Sequence, residues 1–167
     1  MNNPQDDLRS QFLEGMSKVA CTVTVVTTDG SAGRSGMTVS AMSSVSADGE
    51  APCLLVCVHH EAPAAPLILA NGCFCTNVLS TEQSEISNVF AGLSEVDNGD
   101  RFGCASWHSM RTGSPRLEHA LAAFDCRVLS AERVGTHHIF IGTVQDVYVS
   151  DASSPLLYAN RDYACLA

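Results

Sequence analysis

No stretch of this chain is apolar for long enough to cross a membrane as a helix. The longest apolar runs, PCLLVCV and PLILA, fall far short of the roughly 18 residues that a bilayer requires. The opening MNNPQDDLRSQ has neither a basic n-region nor an apolar h-region, so no secretory leader is expected and the protein is expected to be cytoplasmic. Positive charge is also scarce. Nine Lys and Arg stand against eighteen Asp and Glu, a net charge of −9, and that field repels nucleic acid and anionic lipid alike. Neither nucleic-acid binding nor membrane association is expected.

The eight cysteines, at positions 21, 53, 57, 73, 75, 104, 126 and 165, include no C-x-x-C pair, the spacing that structural zinc sites usually show. Seven lie in apolar or strand-like contexts such as LLVCV and CFCTNV, where a reduced cysteine serves as a small apolar residue. The histidines form two adjacent pairs, His59-His60 and His137-His138, with His108 and His119 alone. Neighbours on a strand point to opposite faces, so neither pair is expected to chelate one metal, and no metal site is expected. A P-loop lysine motif, a G-x-S-x-G elbow and an H-E-x-x-H pair are all missing, and with them the chemistries they carry. The glycines of GSAGRSG lack the G-x-G-x-x-G order and lead into a strand, which argues against a Rossmann nucleotide site.

What is present is a chain of 167 residues, 46% hydrophobic and only 16% charged. That length suits one domain, expected over residues 1–167. The high apolar fraction points to surface hidden in an oligomer, most simply a homodimer. Leu8, Phe12, Met16 and Val19 recur at helical spacing behind Asp6 and Asp7, predicting an amphipathic opening helix. CTVTVVTTDG alternates Val and Thr with period two and ends on Asp-Gly, the pattern of a strand running into a turn and a second strand.

PCLLVCV reads as a strand covered on both faces, APAAPLILANG as a short helix stopped by Asn71-Gly72, and CFCTNVL as another strand. In STEQSEISNVFAG, Ser80 and Gln83 stand at capping-box spacing before the apolar stripe Ile86, Val89 and Phe90, and Gly92 ends the helix. Residues 93–118 have no clear period and form a long excursion with room for one short helix, a length more often functional than idle. ALAAFDCRVL, HHIFIGTVQDVYV and PLLYANRDYACL close the chain as strand-like segments. Many strands, few helices and no βαβ alternation predict a mainly β protein, an antiparallel barrel with flanking helices.

The stretch GRSGMTVSAMSSVS, residues 33–46, is small and hydroxyl-rich where a sheet favours Val and Ile. It fits a solvent-facing strand with a polar loop. It fits also a cradle in which Thr38, Ser40, Ser43 and Ser44, with backbone N–H groups near Ala41 and Val45, meet a planar polar ligand and its phosphate. Composition does not choose between the two.

The order of local patterns does. VTVVTTDGSAGRSGMTVSAMSSVS, PCLLVCV, NGCFCTNVLSTEQ, FAG, RF, W, TGSPRLEHALAAFDCRV, GTHHIFIGTV and PLLYANRDY resemble, block by block over roughly residues 8–166, the short-chain flavin reductase family. That family includes the reductase components of two-component monooxygenases, such as the 4-hydroxyphenylacetate 3-monooxygenase reductase. The resemblance implies the FMN-binding split barrel, a six-stranded antiparallel Greek-key barrel with flanking helices, as a homodimer. It implies hydride transfer from NADH or NADPH to FMN or FAD, with reduced flavin passed to a separate flavin-dependent monooxygenase.

Carried over residue by residue, the resemblance puts flavin contacts on Thr38, Ser40, Ala41, Ser43, Ser44, Val45, Asn77 and Gln83. It puts the pyridine nucleotide at His137, within Gly135-Thr136-His137, and at Arg161 and Tyr163 of Arg161-Asp162-Tyr163. No residue is expected as a catalytic acid or base, because the cofactors carry the chemistry and the protein aligns them.

This chain departs from the family pattern in three places: SADGEAP in place of D-x-P-P, HHEAP in place of Asn-Arg followed by Ser, and Ala164 where relatives often carry His. Two other functions fit the same fold: a flavin-dependent reductase of another acceptor, such as cob(II)alamin or a ferric complex, and a non-catalytic flavin-binding protein.

Overall fold

A computed structural model describes residues 4–151 and 154–166; residues 1–3, 152–153 and 167 of the expected 1–167 domain lie outside the described residues. The chain runs α1 (Pro4–Ser17), β1 (Cys21–Thr22), β2 (Thr24–Thr28), β3 (Ser35–Val39), β4 (Met42–Ser46), β5 (Cys53–His59), α2 (Ala64–Asn71), β6 (Cys73–Val78), α3 (Ser84–Ala91), β7 (Trp107–Ser109), β8 (Pro115–Leu117), β9 (Ala122–Val134), β10 (His137–Val149), β11 (Leu157–Ala159) and β12 (Asp162–Ala164). Single 3-10 turns occupy Thr81–Gln83, Asp97–Gly99 and Arg101–Cys104.

Seven strands form the main sheet in the order β3-β2-β6-β9-β10-β5-β4, with antiparallel pairing throughout. The mainly β character with flanking helices follows the sequence patterns, but the six-stranded closed barrel does not. The expected strand over the hydroxyl-rich stretch is broken at Ser40-Ala41 into β3 and β4, which end up at opposite edges of the sheet. Two residues join those edges, and consecutive Cα atoms are about 3.8 Å apart. The open sheet must therefore curl until its edges meet at that break.

The period-two pattern of β2 explains the two cores. Every residue of this strand is buried. Val26 enters one cluster with Val56, Val58, Ile68, Phe74 and Phe140, while Val25 enters another with Leu79, Phe90, Phe102 and Leu117. α2 covers the first cluster and α3 the second. β5, expected to be covered on both faces, alternates instead: Leu54, Val56 and Val58 are buried, while Cys53, Leu55 and Cys57 are half-buried. Its second face is one wall of the cavity described below.

The helix boundaries have local causes. Ser80 and Gln83 form the expected capping box, and Gly72 and Gly92 end α2 and α3 in the left-handed conformation that glycine adopts without strain. The excursion over 93–118 contains two 3-10 turns and the small β7–β8 hairpin, with Trp107 donating from Nε1 to the Phe102 carbonyl at 3.0 Å. All eight cysteines are free thiols.

α1 forms as its spacing predicts, yet Leu8, Phe12, Leu13 and Met16 are exposed. The helix is held at its C-terminal end: Asn160 N–H donates to the Ser17 carbonyl and Glu14 pairs with Arg161 at 2.9 Å. No described helix is long and apolar enough to cross a membrane.

Candidate functional site

The β3–β4 break places Thr38 and Ser40 between two cavities. The larger, about 630 Å³, is lined by Ser40, Ala41 and His137 together with Phe12 and Met16 of α1. Its size lies in the range of small-molecule sites. Its walls are apolar along Met37, Cys57, Val134 and Ile139, and its polar groups are the hydroxyls of Thr38 and Ser40 and the imidazole of His137. A smaller cavity, about 210 Å³, lies on the other side of Thr38 and is lined by Ser40, Ser87, Tyr158 and Tyr163.

Thr38 is half-buried, and its hydroxyl donates to the Ser87 carbonyl of α3 at 2.8 Å, which leaves its lone pairs for a ligand. Ser40 and Ala41 are exposed, and the Ala41 carbonyl accepts from the Cys57 N–H at 3.0 Å. Burial pushes the Cys57 thiol above its ordinary value, so this cavity wall carries a protonated thiol rather than a nucleophile. The Tyr163 hydroxyl lies 2.9 Å from Ser87 Oγ and 2.8 Å from Asn88 Oδ1. It donates to the amide oxygen and accepts from the serine, pinning the C-terminal hairpin to α3.

Other residues singled out from the sequence are placed elsewhere. Asn77 is fully buried, donates from Nδ2 to the Val25 carbonyl at 3.1 Å and accepts at Oδ1 from the Leu117 N–H at 2.7 Å. Gln83 accepts from the Ser80 N–H at 3.0 Å and donates to the His119 carbonyl at 3.0 Å. Both amides are consumed inside the chain, where they fasten β6, α3 and the long excursion together. Ser43, Ser44 and Val45 lie exposed on the edge strand β4, with a register shift between Ser44 and Ser46. Arg161 sits in the tight β11–β12 turn at φ 63°, and its guanidinium is taken up by Glu14.

Further residues in or beside the cavity were not singled out as site residues. Phe12 and Met16 line the cavity, and the only sequence signal for them is the helical stripe that α1 leaves uncovered. His59 lies directly opposite His137 in the β5–β10 ladder. The two rings meet edge to face with centroids 5.1 Å apart, and His60 stacks on His59 at 5.0 Å and 19°. Neighbours point to opposite faces only within a strand; β5 ends at His59, and His60 already belongs to the turn. Partial burial, and then the Arg133 guanidinium, hold the His60 imidazole below the usual histidine range, while Glu61 acts the other way.

A curled antiparallel sheet, flanking helices and a hydroxyl-edged cavity where the sheet edges meet define a flavin reductase-like architecture, and comparison with known proteins agrees. Residues 16–167 match the model of the flavin reductase like domain, and the chain belongs to that family. It is 40% identical over 156 residues to the FMN reductase (NADH) RutF of Stutzerimonas stutzeri, covering 93% of this chain and 87% of that protein. BorF, the flavin reductase component of a bacterial two-component tryptophan halogenase, superposes with a TM-score of 0.83 at 31% identity, covering 94% of this chain and 98% of its own. The NADH:FAD oxidoreductase SgcE6 of Streptomyces globisporus C-1027, solved in complex with NAD and FAD fragments, gives a TM-score of 0.86 at 27% identity, covering 100% and 96%.

Proposed function

We propose that this protein is an NADH-dependent FMN reductase that supplies reduced flavin to a separate flavin-dependent monooxygenase. The observation that carries the proposal is the cavity lined by Ser40, Ala41 and His137, in a chain whose curated relative RutF is named for the same reaction. The cofactors themselves supply the hydride chemistry. The protein's part is to hold two ligands in one place and to exclude water between them.

At the β3–β4 break, Ser40 presents a hydroxyl and Ala41 only a methyl group, so a planar ring approaches the backbone closely. Ser44 and the Val45 N–H along the free edge of β4 offer donors without net charge, suited to a developing anion, while Thr38 and Ser43, whose hydroxyl protons go to the Ser87 and Ser44 carbonyls, offer lone pairs to a donor on the ligand. His137 lines the same cavity as Ser40 and Ala41 and is assigned to the nicotinamide side. Tyr163 closes the adjoining cavity, and Arg161 acts through α1 by its bond to Glu14. Asn77 and Gln83 support the site as a frame.

A homodimer completes the arrangement. The exposed stripe of Leu8, Phe12, Leu13 and Met16 and the unpaired edge of β4 are surfaces that a second copy covers.

The test is NADH oxidation by the purified protein, followed at 340 nm with and without FMN. FMN-dependent oxidation is expected; a preparation saturated with FMN and FAD that leaves NADH unoxidised overturns the assignment. Release of reduced FMN to a flavin-dependent oxygenase in a coupled anaerobic assay tests the transfer step.

A further inference from the structure

α1 contributes two apolar side chains to the larger cavity. Leu8, Phe12 and Met16 follow one another at intervals of four residues, which stacks them in a single row along the helix. Phe12 and Met16 of this row line the cavity, yet they remain 63% and 47% exposed, so large apolar side chains stand open at its edge. Their position is set at the C-terminal end of the helix. There the Asn160 N–H donates to the Ser17 carbonyl, and Glu14 pairs with Arg161 at 2.9 Å.

The lining of the cavity is divided. Thr38 and Ser40 bring hydroxyls at the β3–β4 break, while Phe12 and Met16 of α1 and Met37 and Ile139 of the sheet bring only apolar groups. Among the described residues no Asp, Glu, Lys or Arg lines this space, which suits an uncharged ring rather than a phosphate. The isoalloxazine ring of a flavin is divided in the same way. Its pyrimidine edge carries carbonyls and an N–H, and its dimethylbenzene edge carries no polar group.

We infer that Phe12 and Met16 cover the dimethylbenzene part of the flavin ring, while its pyrimidine edge meets the β3–β4 break. This rests on the flavin reductase assignment above and gives α1 a direct part in flavin binding. Phe12 stacks its ring on the flavin, and Met16 adds a thioether contact that adapts to the edge of an aromatic system.

The test uses Phe12→Ala, Phe12→Trp and Leu13→Ala in the full chain. Leu13 is exposed on the same helix and is not among the residues lining the cavity. Kd values are measured for FMN, riboflavin and lumiflavin, which share the ring and differ in the side chain it carries. The KM for NADH at saturating FMN and the mass of each variant in solution are measured beside them. Phe12→Ala is expected to weaken all three flavins by the same factor, about tenfold, the size of one lost aromatic contact, with the NADH KM unchanged. Leu13→Ala is expected to leave the three affinities as in the wild type. Phe12→Trp is expected to quench the fluorescence of bound FMN below its level in the wild type, because an indole stacked on an excited flavin donates an electron to it. The one native tryptophan, Trp107, packs on Phe102 in the other core and is common to both proteins.

Wild-type flavin affinities in Phe12→Ala overturn the inference, as does a loss confined to FMN. A rise in NADH KM with flavin affinity unchanged overturns it by moving Phe12 to the nicotinamide. Bound FMN in Phe12→Trp as fluorescent as in the wild type removes the stacking and overturns it as well. Equal losses of flavin affinity in Phe12→Ala and Leu13→Ala, with a change of mass in both, make the stripe a subunit contact only and overturn it too. A wild type that binds flavin without oxidising NADH speaks against the reductase assignment, while the flavin titrations still decide the place of Phe12. A wild type that binds none of the three flavins overturns both.

Discussion

The ring of Phe90 occupies the space where a side chain at Gly36 would begin: a β-carbon built there would stand 2.8 Å from Phe90 Cε1 and 3.0 Å from the Val26 carbonyl oxygen. The absence of a side chain lets α3 lie directly on β3, and α3 in turn supplies the Ser87 carbonyl that orients Thr38. Gly36→Ala forces this contact apart and is expected to cost about 1–3 kcal/mol of stability, the usual range for overpacking. Urea unfolding checks it, and a stability within about 0.5 kcal/mol of wild type would show that α3 yields without cost.

Asp125 is fully buried and fastens the loop after β7, accepting from the Thr112 N–H at 2.7 Å and from its hydroxyl at 2.6 Å. Burial nevertheless raises its pKa above the ordinary 3.8, against the pull of the Thr112 bonds. A carboxyl with a raised folded-state pKa favours folding most when protonated, and that advantage is lost as pH rises through the folded value. Relative to Asp125→Asn, which does not titrate, the wild type is therefore expected to lose stability as pH is raised from about 4 toward neutrality. Urea midpoints of the two proteins at several pH values test this; a wild-type midpoint that rises relative to that of Asp125→Asn as pH rises contradicts it.

Thr76, in the middle of β6, has the one buried side-chain oxygen among the described residues without a hydrogen-bond partner. Thr76→Val keeps the branched shape and removes the unpaired hydroxyl. The expected result is a gain of about 0.5–2 kcal/mol, read as a higher melting temperature. A loss of similar size would mean that the hydroxyl is satisfied.

The parts of the fold legible in the sequence are those set by neighbouring residues. The Ser80–Gln83 box and Gly92 bound the α3 region because a cap is a local hydrogen bond, and Asn71-Gly72 ends α2 for the same reason. The break at Ser40-Ala41 was not legible, because it comes from the sheet curling until its two edges share one connection. The destinations of the Asn77 and Gln83 amides were hidden likewise: their acceptors include the carbonyls of Val25 and His119, 52 and 36 residues away.

Of the site, composition marked the small hydroxyl-rich stretch but left both a polar strand and a ligand cradle open. The ordered resemblance decided between them. The histidine surface was missed because alternation holds only within a strand, and β5 stops at His59. Phe12 and Met16 were legible as a helical stripe, but a stripe does not say what it faces.

The central claim is that flavin and NADH meet in the cavity between Ser40 and His137, with the imidazole on the nicotinamide side. The most direct measurement is the KM for NADH and the Kd for FMN of His137→Ala, taken side by side with the wild type. The account predicts a rise in NADH KM of about tenfold, one lost hydrogen bond to a charged or strongly polar group, with FMN affinity within about twofold of wild type. A loss of FMN affinity equal to the change in KM would contradict it.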